Sequence, residues 1–117
     1  MPAPVVHFEI IGHDAQKLQD FYRGIFDWSI MTNNPINYGL VEPAGEKGIG
    51  GGITTPREDE DNYITFYIEV DDIQAYLDKI EKSGGTTLVP VTEIPGMATF
   101  AMFQDPAGNK VGLVKSA

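Results

Sequence analysis

The chain has 117 residues, 42% of them hydrophobic, and carries 17 acidic against 8 basic side chains, for a net charge of −9. That length suits one compact domain, and that composition argues against disorder. The acidity disfavours nucleic acid and anionic membranes as partners, because both need a basic face, and the lack of cysteine removes disulfides, thiolate nucleophiles and cysteine–zinc sites.

Residues 5–11 are β-branched and aromatic and read as a first strand. Asp14 is an N-cap, and Leu18, Phe21, Tyr22 and Ile25 follow at the i, i+3, i+4, i+7 spacing of one apolar helical stripe. Residues 28–31 read as a strand, Asn33-Asn34-Pro35 as a turn, and 36–41 as the next strand. A turn around Pro43 and Gly45 leads to a strand over 48–53 that is almost without side chains. Residues 54–62, with Pro56 and the acidic run Glu58-Asp59-Glu60-Asp61, read as a solvated linker.

The same series then repeats. A strand over 63–70 leads to Asp72 as cap and to a stripe of Ile73, Tyr76, Leu77 and Ile80, ending at Gly84-Gly85. Strands over 87–91, 99–104 and 110–114 close the copy. One phrase makes the duplication visible: Glu42-Pro43-Ala44-Gly45-Glu46-Lys47 and Asp105-Pro106-Ala107-Gly108-Asn109-Lys110 share four of six residues. The expectation is one domain, 1–117, built from module one (1–53), a linker (54–62) and module two (63–117). No apolar run approaches the roughly 18 residues of a membrane helix, and residues 1–4 lack a basic segment followed by an apolar core. A cytoplasmic location without a secretory signal is therefore expected.

Several stretches carry a family resemblance. They are His7-Phe8-Glu9-Ile10, Asp14 with Phe21-Tyr22-Arg23 and Trp28, Ile68-Glu69-Val70-Asp71-Asp72-Ile73, and Phe103-Gln104-Asp105-Pro106-Ala107-Gly108-Asn109 running into the last strand. Together the chain resembles the vicinal-oxygen-chelate superfamily of glyoxalases, bleomycin-resistance proteins and extradiol dioxygenases. The resemblance implies an α+β fold of two βαβββ modules, whose eight strands form an open, barrel-like cup with the helices outside and the site inside. It also implies a two-fold homodimer.

Metal-dependent relatives hold one divalent ion with two His or Glu ligands from the first and last strands of each module. Position by position, the resemblance maps these corners onto His7, Thr65, Gly112 and either Ile49 or Gly50. Only His7 can ligate, since glycines and lone hydroxyls do not hold such an ion. Glu9 and Glu69 share strand faces with His7 and Thr65 by the period of two, so a displaced site of His7, Glu9 and Glu69 is the metal-bearing alternative.

Without a metal, His7 serves as a general base or ligand contact, or else as a satisfied polar residue of the wall. His13, just before the first cap, reads as a surface loop residue. The glycine run 48–52 is not followed by a helix that could meet a phosphate, and acidic residues come next. Trp28, Met31, Tyr38, Tyr67, Phe100 and Met102 supply aromatic and sulfur surface on strands, some of which must face the cavity. The expected function is metal-independent binding of a hydrophobic or aromatic small molecule by His7, Glu9, Tyr38, Thr65, Tyr67, Glu69, Phe100, Met102 and Gly112. The alternative is a glyoxalase-like lyase, isomerase or dioxygenase with a shifted metal around His7.

Overall fold

The computed structural model describes residues 2–57 and 60–116, so Glu58 and Asp59 of the acidic run lie outside the described residues. Eight strands and two helices follow in the order β1 (Val5–Ile11), α1 (Ala15–Phe26), β2 (Ile30–Met31), β3 (Gly39–Val41), β4 (Gly50–Thr54), β5 (Tyr63–Val70), α2 (Ile73–Lys82), β6 (Thr86–Ile94), β7 (Ala98–Gln104) and β8 (Lys110–Lys115). This is the expected pair of βαβββ modules. By contacts the chain divides into two compact units, His7–Thr65 and the residues from Phe66 onward together with those up to Val6, with boundaries inside β1 and β5.

Each module has the same internal pairing. Its first strand runs parallel to its fourth, the fourth antiparallel to the third, and the third antiparallel to the second. The repeated turn phrase also folds alike, since Gly45 and Gly108 both take positive φ (66° and 95°), a region glycine enters without steric penalty. In the second copy Asp105 closes the turn, its carboxylate accepting from the Ala107 and Asn109 amides and the Asn109 side chain. These bonds, first of all those from Asn109, hold the Asp105 carboxyl below the usual aspartate range.

Both helices start where the caps predict. Asp14 accepts from the Lys17 amide and Asp72 from the Ala75 amide, each at 3.1 Å, satisfying an orphan donor of the first turn. Helix α2 buries its stripe as expected: Ile73 and Leu77 pack with Val70, Ala101 and Leu113. Helix α1 does not. Leu18 and Tyr22 pack on Ile30, Val41 and Ile53, but Phe21 and Ile25 are more than half exposed, and the buried residue of this helix is Gln19. Its amide donates to the Ile53 carbonyl at 2.8 Å.

Strand limits differ from expectation in several places, and β4 begins at Gly50 rather than at residue 48. Residues 34–37 form a turn, with Asn37 at positive φ, so β3 begins at Gly39. Trp28 lies before β2 and joins Phe8, Tyr22 and Phe26 in an aromatic cluster on the helix side. Strand β6 extends through Pro90 to Ile94 with register shifts along its pairing with β7, as proline permits on an irregular edge strand. Among the described residues no helix is long and apolar enough to cross a membrane.

Candidate functional site

Along β1 the period of two sends Phe8 and Ile10 to the helix side and His7 and Glu9 to the other face. The parallel partner β4 sets Gly50 beside His7 and Gly52 beside Glu9. Gly52 has a specific use: a Cβ there would overlap the Tyr38 phenol, so its absence lets that ring lie across the strand. Tyr38 thereby reaches both β1 residues. Its hydroxyl donates to Glu9 Oε2 at 2.6 Å and lies 2.9 Å from His7 Nε2.

One proton cannot serve both bonds. Where the phenol proton points to Glu9, as in the 2.6 Å contact, Nε2–H of His7 is the donor to the phenol oxygen. The relay therefore runs His7 to Tyr38 to Glu9 and selects one imidazole tautomer. Glu9 is buried at 7% exposure, and burial pushes the His7 pKa below its ordinary value. Burial thus favours the neutral imidazole at neutral pH.

The corresponding face of module two is packed differently. Thr65, Tyr67 and Glu69 alternate with Ile68 and Val70, which face α2. Tyr67 pairs with Gly112, and Gly112 with Met102. A Cβ at Gly112 would overlap the Tyr67 ring. The ring fills that gap and meets Phe100 edge-on at 6.5 Å between centroids, while its hydroxyl donates to Met102 Sδ at 4.0 Å. Tyr67, Met102 and Thr65 are buried at 8%, 2% and 5% exposure, whereas Phe100, Glu69, His7 and Tyr38 are half-buried. Of the other aromatic and sulfur candidates, Trp28 belongs to the helix side and Met31 is exposed.

Register settles which glycine of module one matches Gly112. Tyr67 and Glu9 hold equivalent places before the caps, and their partners are Gly112 and Gly52. The expected counterpart, Ile49 or Gly50, is thus replaced by Gly52. The connection before β4 is longer than the one before β8, which shifts any alignment anchored on the repeated turn.

The four corners do not fit a divalent ion. Two are glycines whose side-chain space is taken by tyrosine rings, one is a buried threonine, and the last, His7, bonds a phenol through Nε2. Among the described residues no group of three or more His, Cys, Asp or Glu side chains is placed to hold a metal.

One cluster was not legible in the sequence. Arg57 bridges Glu60 at 3.8 Å and bonds the Tyr63 phenol, whose pKa is raised by burial first, then by the charges of Glu60 and Glu9, with Arg57 opposing them. The linker thus brings an arginine to the strand that opens module two. His13 lies where expected, in an exposed loop. Its amide donates to Asn62 at the edge of a shallow cleft of about 280 Å³ that also contains Gly12, Asp14, Lys17, Leu18 and Phe21.

Comparison with known proteins places the chain in a family. Residues 5–113 match the sequence model of the Glyoxalase/Bleomycin resistance protein/Dioxygenase superfamily. The "Putative glyoxylase CFP32" of Mycobacterium tuberculosis is 31% identical over 81 residues, 69% of this chain, which spans only 31% of that protein's length. A glyoxylase-like domain-containing protein of Didymella fabae is 28% identical over 108 residues, covering 86% of this chain and 84% of the relative. The anthracycline biosynthesis protein DnrV of Streptomyces peucetius is 23% identical, covering 92% of this chain and 45% of that protein. Among solved structures, Streptomyces coelicolor methylmalonyl-CoA epimerase superposes with a TM-score of 0.70 over 100% of this chain and 99% of its own, at 17% identity. The Mycobacterium tuberculosis methylmalonyl-CoA epimerase gives 0.68 over 97% and 87%, at 14% identity. At such identities these two likenesses establish the fold.

Proposed function

The chain belongs to the Glyoxalase/Bleomycin resistance protein/Dioxygenase superfamily, and we propose that within it this protein binds a hydrophobic or aromatic small molecule without a resident metal ion. One observation carries the proposal. At Gly52 and Gly112, each partnered with a first-strand residue, the side-chain space holds a tyrosine ring where a ligating side chain would stand. Ring surface suits stacking and apolar contact, and it offers a cation no inner-sphere donors beyond the phenol.

Exposure divides the expected contacts. In module one His7 and Tyr38 are half-buried and Glu9 is buried; in module two Glu69 and Phe100 are half-buried, and Thr65, Tyr67, Met102 and Gly112 are buried, so the half-buried side chains of each are the ones open to a ligand. A relative named for anthracycline biosynthesis is in keeping with an aromatic ligand. Pairing of two copies belongs to the same proposal and is read from the mass in solution.

Thermal melting tests the reading. Planar aromatic compounds are expected to raise Tm in the presence of chelator, since a ligand that binds only the native state stabilises it by mass action, and Phe100→Ala should abolish the rise. A chain that answers to divalent metal but to no such compound would refute it. The relay supports a second reading, proton transfer with His7 as base held by Tyr38 and Glu9. Turnover lost in both His7→Gln and Tyr38→Phe would favour it.

A further inference from the structure

The relay depends on a tyrosine that sits on no strand. Tyr38 ends the turn between β2 and β3, and both of its backbone groups are held by one side chain. The Asn34 carboxamide donates through Nδ2 to the Tyr38 carbonyl at 2.8 Å and accepts through Oδ1 from the Tyr38 amide at 2.9 Å. Oδ1 also accepts from the Ile36 amide at 3.3 Å, while the Asn34 carbonyl accepts from the Asn37 amide at 3.2 Å. Pro35 fixes φ at the second position of the turn, and Asn37 takes the left-handed region at φ 54°. Asn34 thus gives Tyr38 the donor and the acceptor that a neighbouring strand would supply.

From this geometry we propose that Asn34 is a positioning residue, which locks the backbone of Tyr38 so that the phenol lies across Gly52 with its hydroxyl between His7 and Glu9 and thereby sets the tautomer of His7. The chemistry requires a carboxamide at this length. Aspartate keeps the accepting arm and loses the donor, alanine loses both, and glutamine is one methylene too long for the same closed turn. The proposal deepens the reading of this face as a ligand surface and rests on it for its functional meaning, because the tautomer decides where a ligand meets a donor and where an acceptor.

Imidazole ¹⁵N spectra of the ligand-free protein at pH 8 provide the test, with His13 as internal control. The wild type should show His7 as a single tautomer, protonated at Nε2. In Asn34→Ala the single-tautomer pattern should be lost, in the same direction as in Tyr38→Phe, which removes the hydroxyl and keeps the ring. Asn34→Asp should fall between wild type and Asn34→Ala, and it carries the comparison should the alanine variant fail to fold. A His7 spectrum unchanged in the Asn34 variants but altered in Tyr38→Phe would overturn the proposal. No ligand enters the experiment, so its failure would leave the binding proposal standing.

Discussion

The two modules share a strand order and even a local vacancy, yet they fill it differently. In each, a glycine stands on the last strand beside the third-position residue of the first-strand face, and a tyrosine ring lies over it. In module two the ring belongs to the paired residue itself, Tyr67, and points to sulfur and another ring. In module one the ring arrives from a turn, and the paired residue is Glu9, buried with its carboxylate on the phenol. Module two has closed its corner with apolar surface, and module one has turned the same corner into a polar relay. Topology repeats; chemistry has moved into one half.

Substitutions that break this contrast should rank as follows. Leu77→Ala in α2 removes a 1% exposed side chain from the core of module two and should cost about 2–5 kcal/mol in denaturant unfolding. Phe21→Ala at the equivalent stripe of α1, more than half exposed, should cost far less. If the two losses are equal, the account of α1 as a helix seated on Leu18, Gln19 and Tyr22 fails. Next, Tyr38→Phe removes a hydrogen bond to a buried carboxylate and should cost about 1.5–3 kcal/mol. Gly112→Ala must displace a buried ring and should cost about 1–3 kcal/mol through overpacking.

A smaller effect follows from pH. The folded-state pKa of His7 lies below the unfolded value of 6.5. Above pH 6.5 both states are neutral. As pH falls through 6.5 the unfolded chain takes up the proton first, so His7 subtracts stability until its folded pKa is passed. The difference in unfolding free energy between wild type and His7→Gln should therefore change below pH 6.5 and stay flat above it. A flat difference throughout would remove burial from the argument. The slightest effect belongs to Asp105, a surface group whose depressed pKa makes its turn lose stability as pH falls into the acid range.

The elements whose causes are local were legible in the sequence. Asp14 and Asp72 announce their helices by cap chemistry, and Gly45 and Gly108 announce the repeat because a positive φ is a property of the residue itself. What was not legible depends on partners distant in the chain. Gln19 is polar and breaks the stripe, but its amide has an acceptor, the Ile53 carbonyl, only once β4 is in place. The relay pairs residue 38 with residues 7 and 9 across a glycine that reads locally as a weak strand. The longer turn before β4 displaced the match to Gly112, and only the ladder identifies Gly52. Arg57 is a nearer case: it read as part of a solvated linker, and only the structure shows its contact with Tyr63, six residues on.

The account stands on filled corners, and metal content measures that most directly. Protein purified without chelator, analysed by plasma mass spectrometry and then titrated calorimetrically with zinc, nickel, manganese and iron(II), should carry far less than one ion per chain and show no tight uptake. One equivalent of a divalent ion, retained through purification and lost in His7→Ala, would contradict it.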